Sequence, residues 1–416
     1  MLSSRLPKDL SPSPFFAELE RTKVESAPFI DMTVSSPVKA GLTIDLDAAV
    51  EPARSGFGCW NPDAAGWKSA REAVVEYYRE RGGNFTAGQI ILTASTSEAY
   101  SVLFKTFCDP GDVILTPMPG YPLLDTLAQL EHLECAPYFL QLRRENARKL
   151  ATDERREGAA FRFVLDSDSL LAAPEKAKIL LLVSPHNPTG HCVSREEWNI
   201  AVRFCEENDM ILVVDEVFGD YGFSNKVSRS WKYVLGEEHL WDAGGNDLIN
   251  LPENGPKCPI FWLNGLSKAV GSPQLKLGWM AFYAPRERFE EIRAALEFVE
   301  DAYLSVSAPA QALGMSLLPT AAAYEAQVKE RLLANWQTLR EAFPAKYCPE
   351  VLGGWYAVVR LGEDDEELTL RLLKEKHVLV QPGFFFDFDE DGWVVISLLQ
   401  EPATFKEAVQ RMKELQ

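Results

Sequence analysis

The chain has 416 residues, 46% hydrophobic and 25% charged, which is ample for a large buried core. Its 61 acidic residues against 42 basic ones leave a net charge of −19, which argues against nucleic-acid and anionic-membrane partners, since both need clustered Lys and Arg. Seven widely spaced cysteines without a Cys-x-x-Cys argue against a disulfide framework or zinc site and point to a reducing, cytoplasmic setting.

The opening "MLSSRLPKDLSPSPFF" lacks the apolar core of a signal peptide and reads as an arm, with a short helix around Pro14–Ser26. "GWKSAREAVVEYYRERGG" (66–83) has apolar residues at helical spacing and a Gly-Gly stop. "QIILT" is a buried strand and "SEAYSVLFKTFCDPGD" a helix closed by Asp-Pro-Gly. "VILTPMPGYP" and "AKILLLVSPHNPTG" are strands running into turns. "REEWNIAVRFCEEND" is a helix, "MILVVDEVFGDY" a strand, and "PIFWLNGLSK" the next strand. Continuous apolar runs alternating with amphipathic helices predict a mainly parallel sheet covered on both faces, with ligands beyond the carboxyl ends of the strands. From about Ser305 one long helix, "AAAYEAQVKERLLANWQTLREAF", leads into short strands and helices, a second, smaller domain. The stretches 143–160 and 236–258 are charged or Gly/Asn-rich and read as loop insertions.

Each motif sits at a strand end, and each has an ordinary reading. Ser95, Thr96 and Ser97 with Glu98 form a helix cap, or seat a phosphate on free N–H groups. Tyr121 packs locally in its turn, or stacks on a flat ring. Asn187 and His186 serve turn chemistry, with Asn187 also able to face a ligand. Asp215 ends a buried strand and needs a cationic or N–H partner, which a protonated heterocycle nitrogen would satisfy. Lys268 and Lys276 are loop lysines by default, but a desolvated Lys268 would be a nucleophile. The order in which these residues occur describes a site for a planar, phosphorylated, protonated heterocycle with a carbonyl for lysine to capture. Pyridoxal 5'-phosphate meets that description.

The chain resembles the class I/II aminotransferases, the fold-type-I pyridoxal phosphate enzymes. "SPHNPTG", "VVDEV" and "LSKAVGSPQLKLGW", in this order, carry the likeness, which runs from "DMTVSSP" (31–37) to the C-terminus. "GGWYAVVRL" (353–361) and "VLVQPG" (378–383) look like small-domain strands of that family. The resemblance implies an α/β fold: a large domain with a mainly parallel seven-stranded sheet between helices, plus a smaller α+β domain. The implied division is an arm over 1–45 that joins the small domain, a cofactor domain over 46–305, and an interdomain helix with the small domain over 306–416. It also implies transfer of an amino group between an amino acid and a 2-oxo acid, and a homodimer. Lys268 then forms the internal aldimine, Asp215 pairs with the pyridinium nitrogen, and Asn187 donates to the phenolate oxygen. Tyr121 stacks on the ring, and Ser95, Thr96, Ser97 and Lys276 hold the phosphate.

Departures from the family pattern concern the clamp and the substrate end. Lys276 stands where an Arg is usual and loses the bidentate fork. Gly265 replaces a phosphate-contacting Ser, Phe218 a Tyr near the phenolate oxygen, and Trp60 a Tyr that reaches the partner subunit's phosphate. Val395 stands where relatives carry the Arg that grips the substrate carboxylate. Arg360 and Lys39, with Arg54 and backbone amides, are the expected substitutes. Two other readings stay open: a pyridoxal phosphate lyase acting by β-elimination, and a catalytically silent binding protein of the same fold.

Overall fold

The structure is a computed structural model and describes residues 3–146, 159–224, 227, 229–235, 255–362 and 364–415. Its strands are β1 (Ile30–Asp31), β2 (Ile90–Thr93), β3 (Val113–Met118), β4 (Glu134–Asn146), β5 (Ala159–Leu165), β6 (Ala177–Val183) and β7 (Ile211–Asp215). They continue with β8 (Ile260–Gly265), β9 (Gly278–Tyr283), β10 (Tyr356–Arg360), β11 (Val378–Leu379), β12 (Gln381–Pro382) and β13 (Trp393–Ser397). The large sheet has the order β2-β9-β8-β7-β6-β3-β4-β5. The pairs β4/β3, β3/β6, β6/β7 and β7/β8 are parallel, and β9 runs against both of its neighbours.

Continuous apolar runs form these central strands because helices cover both faces. Every residue of β2, β8 and β9 is buried. Phe261, Phe282 and Phe289 stack in sequence across one face, with centroids 5.8 and 4.8 Å apart. Several helices of the chain have side-chain caps, worth about 1 kcal/mol each. Ser13 caps Pro14–Glu25, Ser95 caps Thr96–Phe107, and Ser194 closes a full capping box on Arg195–Glu207.

The expected seven strands are joined by an eighth. β4 pairs with β3 through Glu134–Phe139 and continues past the sheet as Leu140–Asn146, which pairs antiparallel with β5. The flanks of the 143–160 insertion are therefore strand rather than loop, since alternating apolar residues such as Phe161 and Phe163 pair with β4. The rest of that insertion (147–158), and 236–254 of the other, lie outside the described residues.

A second sheet of order β10-β13-β12 lies with the C-terminal helices, and the arm forms a separate two-stranded sheet with β11. β1 pairs with β11, and the helix Pro14–Glu25 buries Phe15 and Leu19 against Leu373 and Leu379. The long helix Ala321–Ala342 is tied to this part by Asn335, whose amide donates to the carbonyls of Leu398 and Gln400 at 2.8 and 2.7 Å. Among the described residues no helix is long and apolar enough to cross a membrane.

Candidate active site

The registers Val183↔Asp215, Asp215↔Leu263, Gly265↔Gly278 and Thr93↔Gly278 bring the ends of five strands to one edge. The turns leaving β2, β3, β6, β7 and β8 carry Ser95, Tyr121, Asn187, Phe218 and Lys268 there. β9 runs the other way, so its beginning lies at this edge and places Lys276 beside them. All line one cleft of about 1190 Å³, together with Asp215, Thr96 and Ser97. Convergence of groups from separate segments beyond the carboxyl ends of parallel strands is the arrangement such sheets favour for ligands.

Asp215 closes β7. Its Oδ2 accepts the hydroxyl of Tyr100 at 2.6 Å and its Oδ1 accepts the N–H of Val217 at 3.0 Å. Burial raises its pKa, while those two donors and the charge of Lys268 pull it back down. Lys268 sits on the single helical turn Leu266–Ala269, because β8 ends at Gly265 rather than running on through the lysine. The hydroxyl of Tyr221 donates to the Lys268 carbonyl at 2.6 Å and holds that turn. Burial lowers the Lys268 pKa to about 8, with the Asp215 carboxylate opposing. The amine is therefore far easier to deprotonate than a solvated lysine.

The helix Thr96–Phe107 begins at this edge. Ser95 accepts the N–H of Glu98 at 3.2 Å, so the ordinary capping role of Ser95 is present. Thr96 and Ser97 in the first turn line the same cleft. Lys276 adopts a left-handed backbone (φ 52°) and lines the cleft with an exposed side chain. Gly265 and Gly278 face each other across the β8–β9 pair. A Cβ on Gly265 would lie 2.9 Å from the Cα of Gly278, and one on Gly278 3.1 Å from the Ser95 carbonyl carbon. The backbone here is too close for a serine at 265 without movement.

Asn187 is buried, and its Oδ1 has no hydrogen-bond partner among the described residues. His186 beside it bonds Thr189 at 2.9 Å, and burial lowers its pKa to about 3, so it is a turn residue and not a base at neutral pH.

The cations expected at the substrate end are not in the cleft. Arg360 ends β10 opposite Trp393 and pairs with Glu390. Tyr356, at the other end of that strand, is the residue that lines the cleft. Lys39 is exposed and absent from the lining, and Arg54 pairs with Glu51. Val395 is buried in β13. Trp60 lies outside the cleft and is 82% exposed.

Residues 61–412 match the profile of the family described as Aminotransferase class I and II. This chain belongs to the class I and II aminotransferases. It is 22% identical to the glutamate-pyruvate aminotransferase AlaA of Haemophilus influenzae, over 96% of this chain and 93% of that one. It is 26% identical to the alanine aminotransferase of Mycobacterium tuberculosis, over 84% and 76% of the two chains. The fold matches the solved alanine aminotransferase from Pyrococcus furiosus with a TM-score of 0.79 at 20% identity, covering 100% and 99% of the two chains. It matches the aspartate aminotransferase from Thermotoga maritima with a TM-score of 0.76 at 20% identity, covering 99% of each.

The aminotransferase is a pyridoxal phosphate-dependent transferase that moves an amino group between an amino acid and a 2-oxo acid. The residues in the cleft fit that cofactor. Asn187 lines the cleft with an amide whose N–H₂ can serve an acceptor there, the approach of Gly265 to Gly278 leaves backbone beside the helix start, and Lys268 and Asp215 are opposite charges in one cleft. Sequence reasoning missed Tyr100, Tyr221 and Trp355. Tyr100 carries one available signal: it lies four residues after Thr96, one helical turn along the same face.

Proposed function

We propose that this aminotransferase uses Lys268 as the lysine that captures the cofactor and later moves the substrate Cα proton, and that it prefers amino acids with apolar side chains. Bound pyridoxal phosphate supplies an aldehyde for amine capture and a ring that accepts electron density. The Lys268 amine, its pKa lowered to about 8, is suited to accept a proton and return it. Asp215 would hold a proton on the ring nitrogen, Asn187 would donate to the phenolate oxygen, and Tyr121 would cover a ring face. Lys276 and the first turn at Ser95, Thr96 and Ser97 bind the phosphate, as a helix N-terminus favours.

The preference rests on one observation. Among the described residues lining the cleft, the cations are Lys268 and Lys276, while Leu123, Leu124, Leu127 and Phe218 supply an apolar wall. A dicarboxylate asks for two cationic grips beyond the phosphate clamp, and the cleft holds none. The α-carboxylate is left to hydroxyl and backbone donors, with Ser35 and Tyr356, hydrogen-bonded to each other, at that end. Relatives named for alanine and tyrosine support the reading. The domain division at about residue 305, a cytoplasmic setting and a homodimer belong to the same proposal. The seven free cysteines support the setting and the bare Trp60 ring supports the dimer. A panel of aspartate, glutamate, alanine, leucine and tyrosine tests the preference. Alanine or a larger apolar residue should lead in kcat/KM, and efficient turnover of aspartate or glutamate would refute it.

A further inference from the structure

Tyr100 is buried on the helix Thr96–Phe107, one turn beyond the residues that line the anion end of the cleft. Its hydroxyl reaches across to the end of β7 and donates to Asp215 Oδ2 at 2.6 Å. The other carboxylate oxygen is held by the Val217 N–H at 3.0 Å. The Asp215 side chain is thus fixed from both sides, one donor coming from its own turn and one from the helix that starts the cleft.

We propose that Tyr100 is a positioning residue that keeps Asp215 ionised and oriented toward the cofactor ring nitrogen. Burial alone drives Asp215 toward its neutral acid, a form with no charge to offer a ring N–H. A buried phenol cannot ionise at neutral pH, so Tyr100 acts only as donor, and its bond favours the carboxylate. The titratable groups facing Asp215 are Tyr100 from the helix, Lys268 from the turn after β8 and Tyr121 from the turn after β3. Of these three, Tyr100 is the one with a hydrogen bond to the carboxylate, and burial keeps Tyr121 neutral in this range. Tyr100 is then the side chain whose hydrogen bond supports the anion.

The proposal rests on the role given above to Asp215, and the experiment separates the two. Pyridoxal phosphate is titrated into apoenzyme by equilibrium dialysis from pH 5 to 9 for wild type, Tyr100→Phe, Asp215→Asn and the double variant. Ionisations of the free cofactor are common to all four and cancel. Tyr100→Phe should bind about tenfold more weakly at neutral pH, in line with loss of a bond to a charged group. Its affinity should also begin to fall on the acid side about one pH unit higher than wild type, because Asp215 protonates earlier. In the Asp215→Asn background the Tyr100 substitution should do nothing further. Equal losses at every pH, or additive losses in the double variant, would mark Tyr100 as a packing residue and overturn the proposal. An Asp215→Asn variant that keeps the wild-type acid limb would instead remove Asp215 from its role. Should Tyr100→Phe not accumulate, 3-fluorotyrosine at position 100, a stronger donor, should move the acid limb to lower pH, and an unmoved limb would count against the proposal.

Discussion

The Lys268 amine lies 4.8 Å from the centre of the Trp355 ring and 5.5 Å from that of Phe218. Both rings are buried, and they pack on each other at 5.4 Å. An aromatic face attracts an ammonium weakly, whereas loss of water around it penalises the charge more. The second effect wins here, since the Lys268 pKa comes down to about 8.

That wall predicts how the apoenzyme takes up cofactor. The neutral amine is the reactive form, and with a pKa of about 8 it is roughly one-tenth of the population at pH 7. Capture of pyridoxal phosphate, followed by stopped-flow absorbance, should accelerate about tenfold per pH unit below 8 and level off above it. A rate still climbing at pH 10 would mean that Lys268 behaves as a solvated lysine.

Asp215→Asn should retain bound cofactor yet slow half-transamination severely. Loss of a preorganised charge partner costs about 3–4 kcal/mol in the barrier, or several hundredfold in rate. Single-turnover kinetics with the preferred amino acid measure it. A near wild-type rate would show that Asp215 is structural.

Lys276 has no hydrogen-bond or ion-pair partner among the described residues and is exposed, so its grip on the phosphate is screened by solvent. Lys276→Ala should weaken cofactor affinity about fivefold, and the difference should shrink at high salt. Lys276→Arg should match or exceed wild type, because a guanidinium can hold two phosphate oxygens. An alanine variant that binds as tightly as wild type at low salt would take Lys276 out of the clamp.

Gly265→Ser adds a hydroxyl at the cleft, but its Cβ meets the Gly278 Cα at 2.9 Å and the Leu277 carbonyl oxygen at 3.0 Å. Overpacking of this kind costs about 1–3 kcal/mol. Urea unfolding of the apoenzyme should show that loss with an unchanged m-value. Unchanged stability would mean that β8 and β9 can move apart.

The large sheet was legible because strands buried on both faces must be apolar throughout, and that pattern survives without tertiary information. The residues that converge on the cleft were legible for a related reason: polar groups such as Asp215 and Asn187 stand out directly after apolar runs. The substrate end was not legible. Arg360 lies four residues from Tyr356 on the same strand, and which end of β10 meets the cleft depends on its antiparallel pairing with β13. No local pattern states that pairing. Tyr100 was hidden for the opposite reason, since an aromatic on the inner face of a helix reads as core, and only the packing of that helix on β8 and β9 shows what its hydroxyl meets.

The central claim is that Lys268, and not Lys276, captures the cofactor. Borohydride reduction of the holoenzyme followed by peptide mapping tests it most directly. One pyridoxyl group per chain is expected, on Lys268, with no label in Lys268→Ala. A pyridoxyl group on Lys276 would contradict it.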